Sequence, residues 1–190
     1  MKLNDYLDYY TNVFIPVYAD TVALLADKPE QLIIEQENSL SHLITYLKDT
    51  KDIDNLKKAK GHLQRATLDA YKMTWVELKK KLLIYTQIDK TNISIAFNLP
   101  SAEVLNLLTE FDKNIQEARL IEAKNIGKPN IDAINKYQKS VEIGFYLLSN
   151  VDNEKYISYT NFNIKSFLNN HIIGFILGIT ASLIASFILS

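Results

Sequence analysis

The sequence predicts an all-α protein: an antiparallel helical bundle followed by a C-terminal transmembrane helix. Three observations carry this expectation. Apolar residues recur at helical spacing through most of the 190 residues. Gly and Pro are scarce, at 5 and 4, which argues against a loop-rich all-β chain. The last charged residue is Lys165, and from Ile172 the chain is apolar almost to its end.

The first apolar stripe is Leu3, Tyr6, Leu7, Tyr10, Val13, Phe14, Val17, Thr21 and Leu24. Pro16 interrupts it and is expected to kink the helix or divide it in two. Asp27-Lys28-Pro29-Glu30 reads as a helix start, with a capping Asp and Pro in the first turn. Leu32, Ile33, Gln36, Leu40, Leu43, Ile44 and Leu47 are the expected buried stripe of a second helix. A long third helix is expected from about Asp52 to Tyr85, buried along Ile53, Leu56, Ala59, Leu63, Ala66, Ala70, Met73, Val76 or Glu77, Lys80 and Leu83. Gly61 is its weak point. The stretch from Thr86 to Pro100 reads as a loop or short extended piece. Ser101 is expected to cap a fourth helix, stopped at Gly127-Lys128-Pro129. A fifth opens at Asn130 or Asp132 and breaks at Asn150 to Asn153.

The tail carries the strongest signal. Ile172 to Leu189 is 18 residues with only Thr180, Ser182 and Ser186 as polar groups. As a helix it spans roughly 27 Å, close to a bilayer's hydrocarbon core. Only Ser190 follows, which predicts a tail anchor. Lys155 and Lys165 flank it on the cytosolic side. The start, MKLNDYLDYY, holds Asp5 and Asp8 and no continuous apolar run, so it is not read as a signal peptide. The expected organisation is therefore a cytosolic bundle over 1–155, a juxtamembrane connector over 156–170 and a transmembrane tail over 171–190, in a bacterial inner membrane. Gly174, Gly178, Ser182 and Ser186 recur every four residues and form one small-residue stripe. It is the candidate membrane interface, where helix backbones approach closely. A homo-oligomer in the lipid bilayer is expected from it, and a pore is one step further. A plain anchor is the alternative.

Enzyme chemistry finds little support. With no Cys there is no disulfide framework, thiolate nucleophile or Cys–Zn site. His42, His62 and His171 form no HExxH and no Glu-x-x-His, and there is no Gly-rich phosphate loop and no GxSxG. His62, Arg65 and Asp69 share a helix face, but such a trio is ordinary surface or interhelical bonding unless it converges in a cleft. Neither Arg65 nor Arg119 opens the RxxxxH pattern of HEPN-type ribonucleases. No catalytic residue, metal or cofactor is assigned.

Charge is more informative. Residues 1–54 carry net −6, residues 55–90 net +6 and residues 91–190 net −1. The third helix is thus basic and the first two acidic. One reading is mutual neutralisation of these helices. A second is an anionic ligand, an oligonucleotide or nucleotide, bound by Lys57, Lys58, Lys60, Arg65 and Lys72, with Trp75, Tyr71 and Tyr85 as stacking platforms. A third is contact of the Lys79–Lys81 run with anionic lipid headgroups.

In layout, with a helical soluble part, a basic third helix and the apolar tail at Ile172–Leu189, the chain resembles the membrane effectors of bacterial anti-phage defence, and among them the Hailong-type effector. The resemblance implies a helical oligomer whose membrane helices are held inactive by a DNA oligomer. It is one of layout, and no residue role is carried over from it. The function expected is a tail-anchored effector that oligomerises and permeabilises the membrane. The alternative is a membrane-tethered adaptor whose bundle recruits a cytosolic protein partner.

Overall fold

The computed structural model describes residues 1–88, 90–125 and 129–188, and it leaves out the side chains at 90, 91, 169, 170, 174, 178, 180 and from 181 onward. Among the described residues the regular structure is helical, apart from one isolated antiparallel bridge between Phe97 and Val151.

Helix α1, Leu3–Tyr9, passes through a π-helical turn at Tyr10–Phe14 into α2, Ile15–Leu25. The predicted interruption at Pro16 takes this form, and the chain stays helical. Pro16 has no N–H and its ring crowds the carbonyl four residues back. The widened turn just before it accommodates both, with the Ile15 N–H donating to the Tyr10 carbonyl. Ala26, in the left-handed region at φ 54°, ends α2. Helix α3 is Glu30–Lys48, so Pro29 rather than Asp27 holds the cap position. Helix α4, Ile53–Thr86, starts on Asp52, whose side chain accepts from the Asn55 N–H. A 3-10 turn at Lys90–Ile95 follows. Helix α5 is Ser101–Lys124, with Pro100 at the cap and no cap bond from Ser101. Its predicted stop at Gly127 and Lys128 lies outside the described residues. Helix α6, Ile131–Ser149, opens on Asn130, whose side chain accepts from the N–H groups of Asp132 and Ala133.

Helix α4 is the spine. Along its first half Leu56, Ala59, Leu63 and Ala66 pack against Tyr6, Phe14 and Tyr46 of α1–α3. Beyond Ala70 the buried side turns to Tyr71, Trp75, Leu78 and Leu82, which meet Phe111 and Ile115 of α5 and Tyr137 and Val141 of α6. The predicted stripe holds from Leu56 to Ala70 and fails at both ends: Ile53, Val76 and Leu83 are exposed. A straight helix gripped by different neighbours at its two ends cannot keep one buried face.

Helix α3 departs further from expectation. Leu32 is buried, but Leu40, Ile44 and Leu47 are 52%, 46% and 53% exposed. The side turned to α4 carries Glu35, Ser39 and Tyr46 instead.

Helix α7, Asn153–Ile188, runs unbroken through the predicted connector into the tail. Its first turn is tied to the end of α4: Tyr156 Oη donates to the Ile84 carbonyl at 2.9 Å, and Tyr85 Oη to Asn153 Oδ1 at 2.8 Å. The Asp152 N–H also donates to the Ala96 carbonyl at 2.9 Å. Farther along, Phe162, Phe167 and Phe175 are 68%, 62% and 69% exposed. Among the described residues no helix is long and apolar enough to cross a membrane. Gly174, Gly178, Ser182 and Ser186 lie outside the residues whose side chains are described.

Two glycines give a stability test. An added Cβ at Gly61 meets nothing within 4 Å, whereas at Gly144 it meets Leu78 Cδ1 and Phe111 Cε2, each at 2.9 Å. Gly61→Ala is expected to stabilise by about 0.5–1 kcal/mol through helix propensity. Gly144→Ala is expected to destabilise by roughly 1–2 kcal/mol through overpacking. Chemical denaturation of the two variants, which should move to opposite sides of wild type, checks both.

Candidate functional site: the charged faces of the central helix

A lysine-rich helix must place its cations in water or opposite carboxylates, and α4 does both. Lys57, 62% exposed, holds Asp54 one turn back at 3.1 Å. Lys58 lies beside Asp52, whose carboxyl is held below its usual value chiefly by bonds from Asn55, with Lys58 adding to the effect. Lys60 stands 5.4 Å over the ring of Tyr9. Arg65 reaches Glu35 of α3 at 3.5 Å. Lys72 pairs with Asp69 at 3.6 Å and with Glu122 of α5, and it lies over the Tyr137 ring. Farther on, Lys79 pairs with Asp112 of α5 at 2.8 Å and Lys80 with Glu77 at 3.3 Å. Neutralisation is therefore spread over α3, α5 and α4's own acids. Of the acidic residues 1–54, Asp54 pairs with Lys57 and Glu35 with His62 and Arg65 among the described ion pairs.

The trio His62, Arg65 and Asp69 does not meet at one point. The His62 Nδ1–H donates to Glu35 Oε2 at 2.7 Å, and Arg65 takes the other carboxylate oxygen. Asp69 turns instead to Lys72. Arg65, Asp69, Lys72 and Glu122 line a surface cleft of about 200 Å³. Burial holds the Asp69 carboxyl above its usual value, Lys72 opposes this, and Glu35 and Glu122 add to it. Ionised Asp69 thus costs the folded state at neutral pH, and the cost lifts as pH falls through the raised value. Tyr137 Oη donates to Glu122 Oε2 at 3.0 Å, and burial followed by the Glu122 charge pushes its hydroxyl up to about 12. Cation and carboxylate alternate in this cleft. Among the described residues no group of three His, Asp or Glu is set to hold a metal.

Of the aromatic side chains named as stacking platforms, two are core residues and Tyr85 is half-buried at the core's edge. Tyr71 and Trp75 are buried. Trp75 lies between Lys79 and Arg119, each 5.2 Å from its ring. Tyr85 packs edge-on against Tyr156 at 5.1 Å.

Sequence reasoning missed the polar seam between α3 and α4. Ser39 Oγ donates to the Ala59 carbonyl at 2.8 Å and lies 2.9 Å from Tyr6 Oη. His42 Nδ1 meets Asn55 Oδ1 at 2.7 Å, and its ring stacks on His62 at 5.3 Å. The signal was present: Glu35, Ser39, His42 and Tyr46 recur at helical spacing, a polar stripe beside the apolar one.

No protein-family model, curated protein or solved structure matches the chain.

The seam centres on Glu35, whose side chain is 8% exposed. Glu35→Ala would leave His62 and Arg65 without their acceptor and is expected to cost about 3 kcal/mol in chemical denaturation. Lys57→Ala, which breaks only a surface pair, should leave the midpoint where it was.

Proposed function

We propose that this chain is a membrane effector: the apolar tail Ile172–Leu189 spans the bilayer, copies associate through Gly174, Gly178, Ser182 and Ser186, and the assembly permeabilises the membrane. The observation that carries the reading is the departure of α7 from the bundle as a 36-residue helix bearing exposed Phe and Ile side chains, with no charge after Lys165. Such a surface needs lipid or other helices around it. Sequence register adds support. Ile157, Thr160, Ile164, Phe167 and His171 follow the heptad spacing that continues into Gly174 and Gly178, so one face runs from stalk to stripe. The layout shared with Hailong-type effectors supports placing the protein in anti-phage defence at the bacterial inner membrane, with the bundle in the cytosol.

Expression in a bacterium should collapse the membrane potential, and purified protein should release dye from vesicles. Gly174→Leu with Gly178→Leu is expected to cut release about tenfold by blocking close helix approach. Replacing Ile172–Leu189 with an unrelated transmembrane helix should abolish it. Release that survives both changes would sink the proposal, and retained cellular function after the swap would favour an adaptor tethered by α7.

The same proposal includes control by an anionic ligand, an oligonucleotide, on the first turns of α4. Lys57, Lys58 and Lys60 are its contacts there, while Arg65 and Lys72 would have to exchange a carboxylate for a phosphate. Reversing Lys57, Lys58 and Lys60 to Glu should weaken oligonucleotide binding and lower the slope of log K against log salt by about 2, at roughly 0.7 for each phosphate contact. An unchanged slope removes these lysines from the site.

A further inference from the structure

Helix α3 turns its polar side inward and its apolar side to water. The inward side is fully engaged with α4 through Glu35, Ser39 and His42. It cannot be exchanged for the apolar side without stranding Glu35 opposite nothing and leaving His62 and Arg65 unpaired. Rotation of α3 is thus no route to burying Leu40, Ile44 and Leu47, which are about half exposed. Ile33, Glu37, Leu40, Ile44 and Leu47 follow one another at spacings of four, three, four and three, the a/d pattern that accepts a second helix. Leu7 of α1 and Tyr10 of the π turn widen this face, bordering a shallow groove of about 210 Å³ with Leu40 and Leu43.

We propose that this face is a self-association surface that pairs α3 with α3 of a second copy, antiparallel, about a two-fold axis near residue 42. Charge decides the occupant. An antiparallel pair centred there sets Leu40 against Ile44 of the partner subunit, and Glu37 beside Leu47 of the partner subunit and within side-chain reach of Lys48 of the partner subunit, twice by symmetry. Glu37 and Lys48 are exposed, and neither makes an ion pair among the described residues. A parallel pair would instead place Glu37 against its own copy. The surface is separate from the α7 stripe and stands whether or not α7 crosses a bilayer.

The chain has no cysteine, so one introduced thiol reports one position. In the full-length protein in detergent, Ser41→Cys stands beside the proposed axis, and Asn106→Cys on α5 is the control. Oxidative or bismaleimide crosslinking is expected to give covalent dimer about tenfold faster from Ser41→Cys. Adding Glu37→Lys should slow it about tenfold through two like-charge contacts, Lys48→Glu should do the same, and the two together should restore it. Unaltered thermal unfolding of these surface variants keeps the reading clear of misfolding. Gly174→Leu with Gly178→Leu should leave the crosslink in place. Equal rates at the two thiols, no rescue by the charge swap, a crosslink lost with the α7 substitutions, or a Ser41→Cys adduct with another protein would each overturn the proposal.

Discussion

Everything in the bundle depends on the 34-residue helix α4 having neighbours on different sides at its two ends. At 1.5 Å per residue it is about 51 Å long, more than one three-helix core can cover. Its first half is therefore closed by α1, the π turn and α3, and its second half by α5, α6 and α2, whose Thr21 meets Thr74 at 2.9 Å. The result is two hydrophobic clusters strung along one rod. The stripe of buried residues rotates around α4 where one set of neighbours gives way to the other. That rotation leaves Val76 and Leu83 in water although both keep the spacing of the first half.

The two halves are held in different ways. Around Trp75, Leu78 and Phe111 the interfaces are apolar and close, to the point that Gly144 has no room for a Cβ. Around Glu35 the α3–α4 interface is largely polar, with Leu56, Ala59 and Leu63 of α4 packing mostly toward α1 and Tyr46. A buried carboxylate is tolerable only while its acceptor sites are filled, and here His62 and Arg65 fill them. Such a seam adds little net stability, but it fixes the rotation of α3, since a turn of the helix would strand charge. Specificity of that kind explains how a helix can be held with its apolar stripe outward.

Helices, their order and most of their ends were legible because they depend on local spacing and on caps such as Asp52 and Asn130. Which face of α3 is buried was not. Leu40, Ile44 and Leu47 make the better hydrophobic stripe, and single-helix reasoning turns the better stripe inward. The competing signal lay partly in another helix: His62, Arg65 and Asn55 offer partners that only α3's polar side can use. Pro16 was legible as a disturbance, yet its form, a π turn placed ahead of it, depends on keeping Tyr6 and Phe14 on one side of α1–α2. The basic cluster was legible as charge. Its pairing with Glu122 and Asp112 required knowing that α5 folds back along α4, which no local pattern states.

The bundle and α7 present opposite problems to solvent. In the bundle, a large apolar side chain taken fully out of water gives roughly 1.5–3 kcal/mol, and the two clusters collect many such terms. Along α7 the same side chains stay outside. From Phe162 onward the helix has Phe and Ile on several sides, and its hydrogen bonds to the bundle come from its beginning, through Asn153, Lys155 and Tyr156. Most helical stability in water comes from packing an apolar face, so a long helix with apolar residues around its circumference and little to pack against is poorly supported there. In the proposed membrane-spanning arrangement, lipid removes that difficulty for the segment after Lys165, which carries no Asp, Glu, Lys or Arg. It does not remove it for Ile157 and Ile164, which precede Lys165 and lie in the stalk. That stretch needs neighbouring helices instead, which in the proposed assembly are copies of the same helix brought alongside by a shared heptad face. The demand for company thus arises in the stalk as well as in the tail.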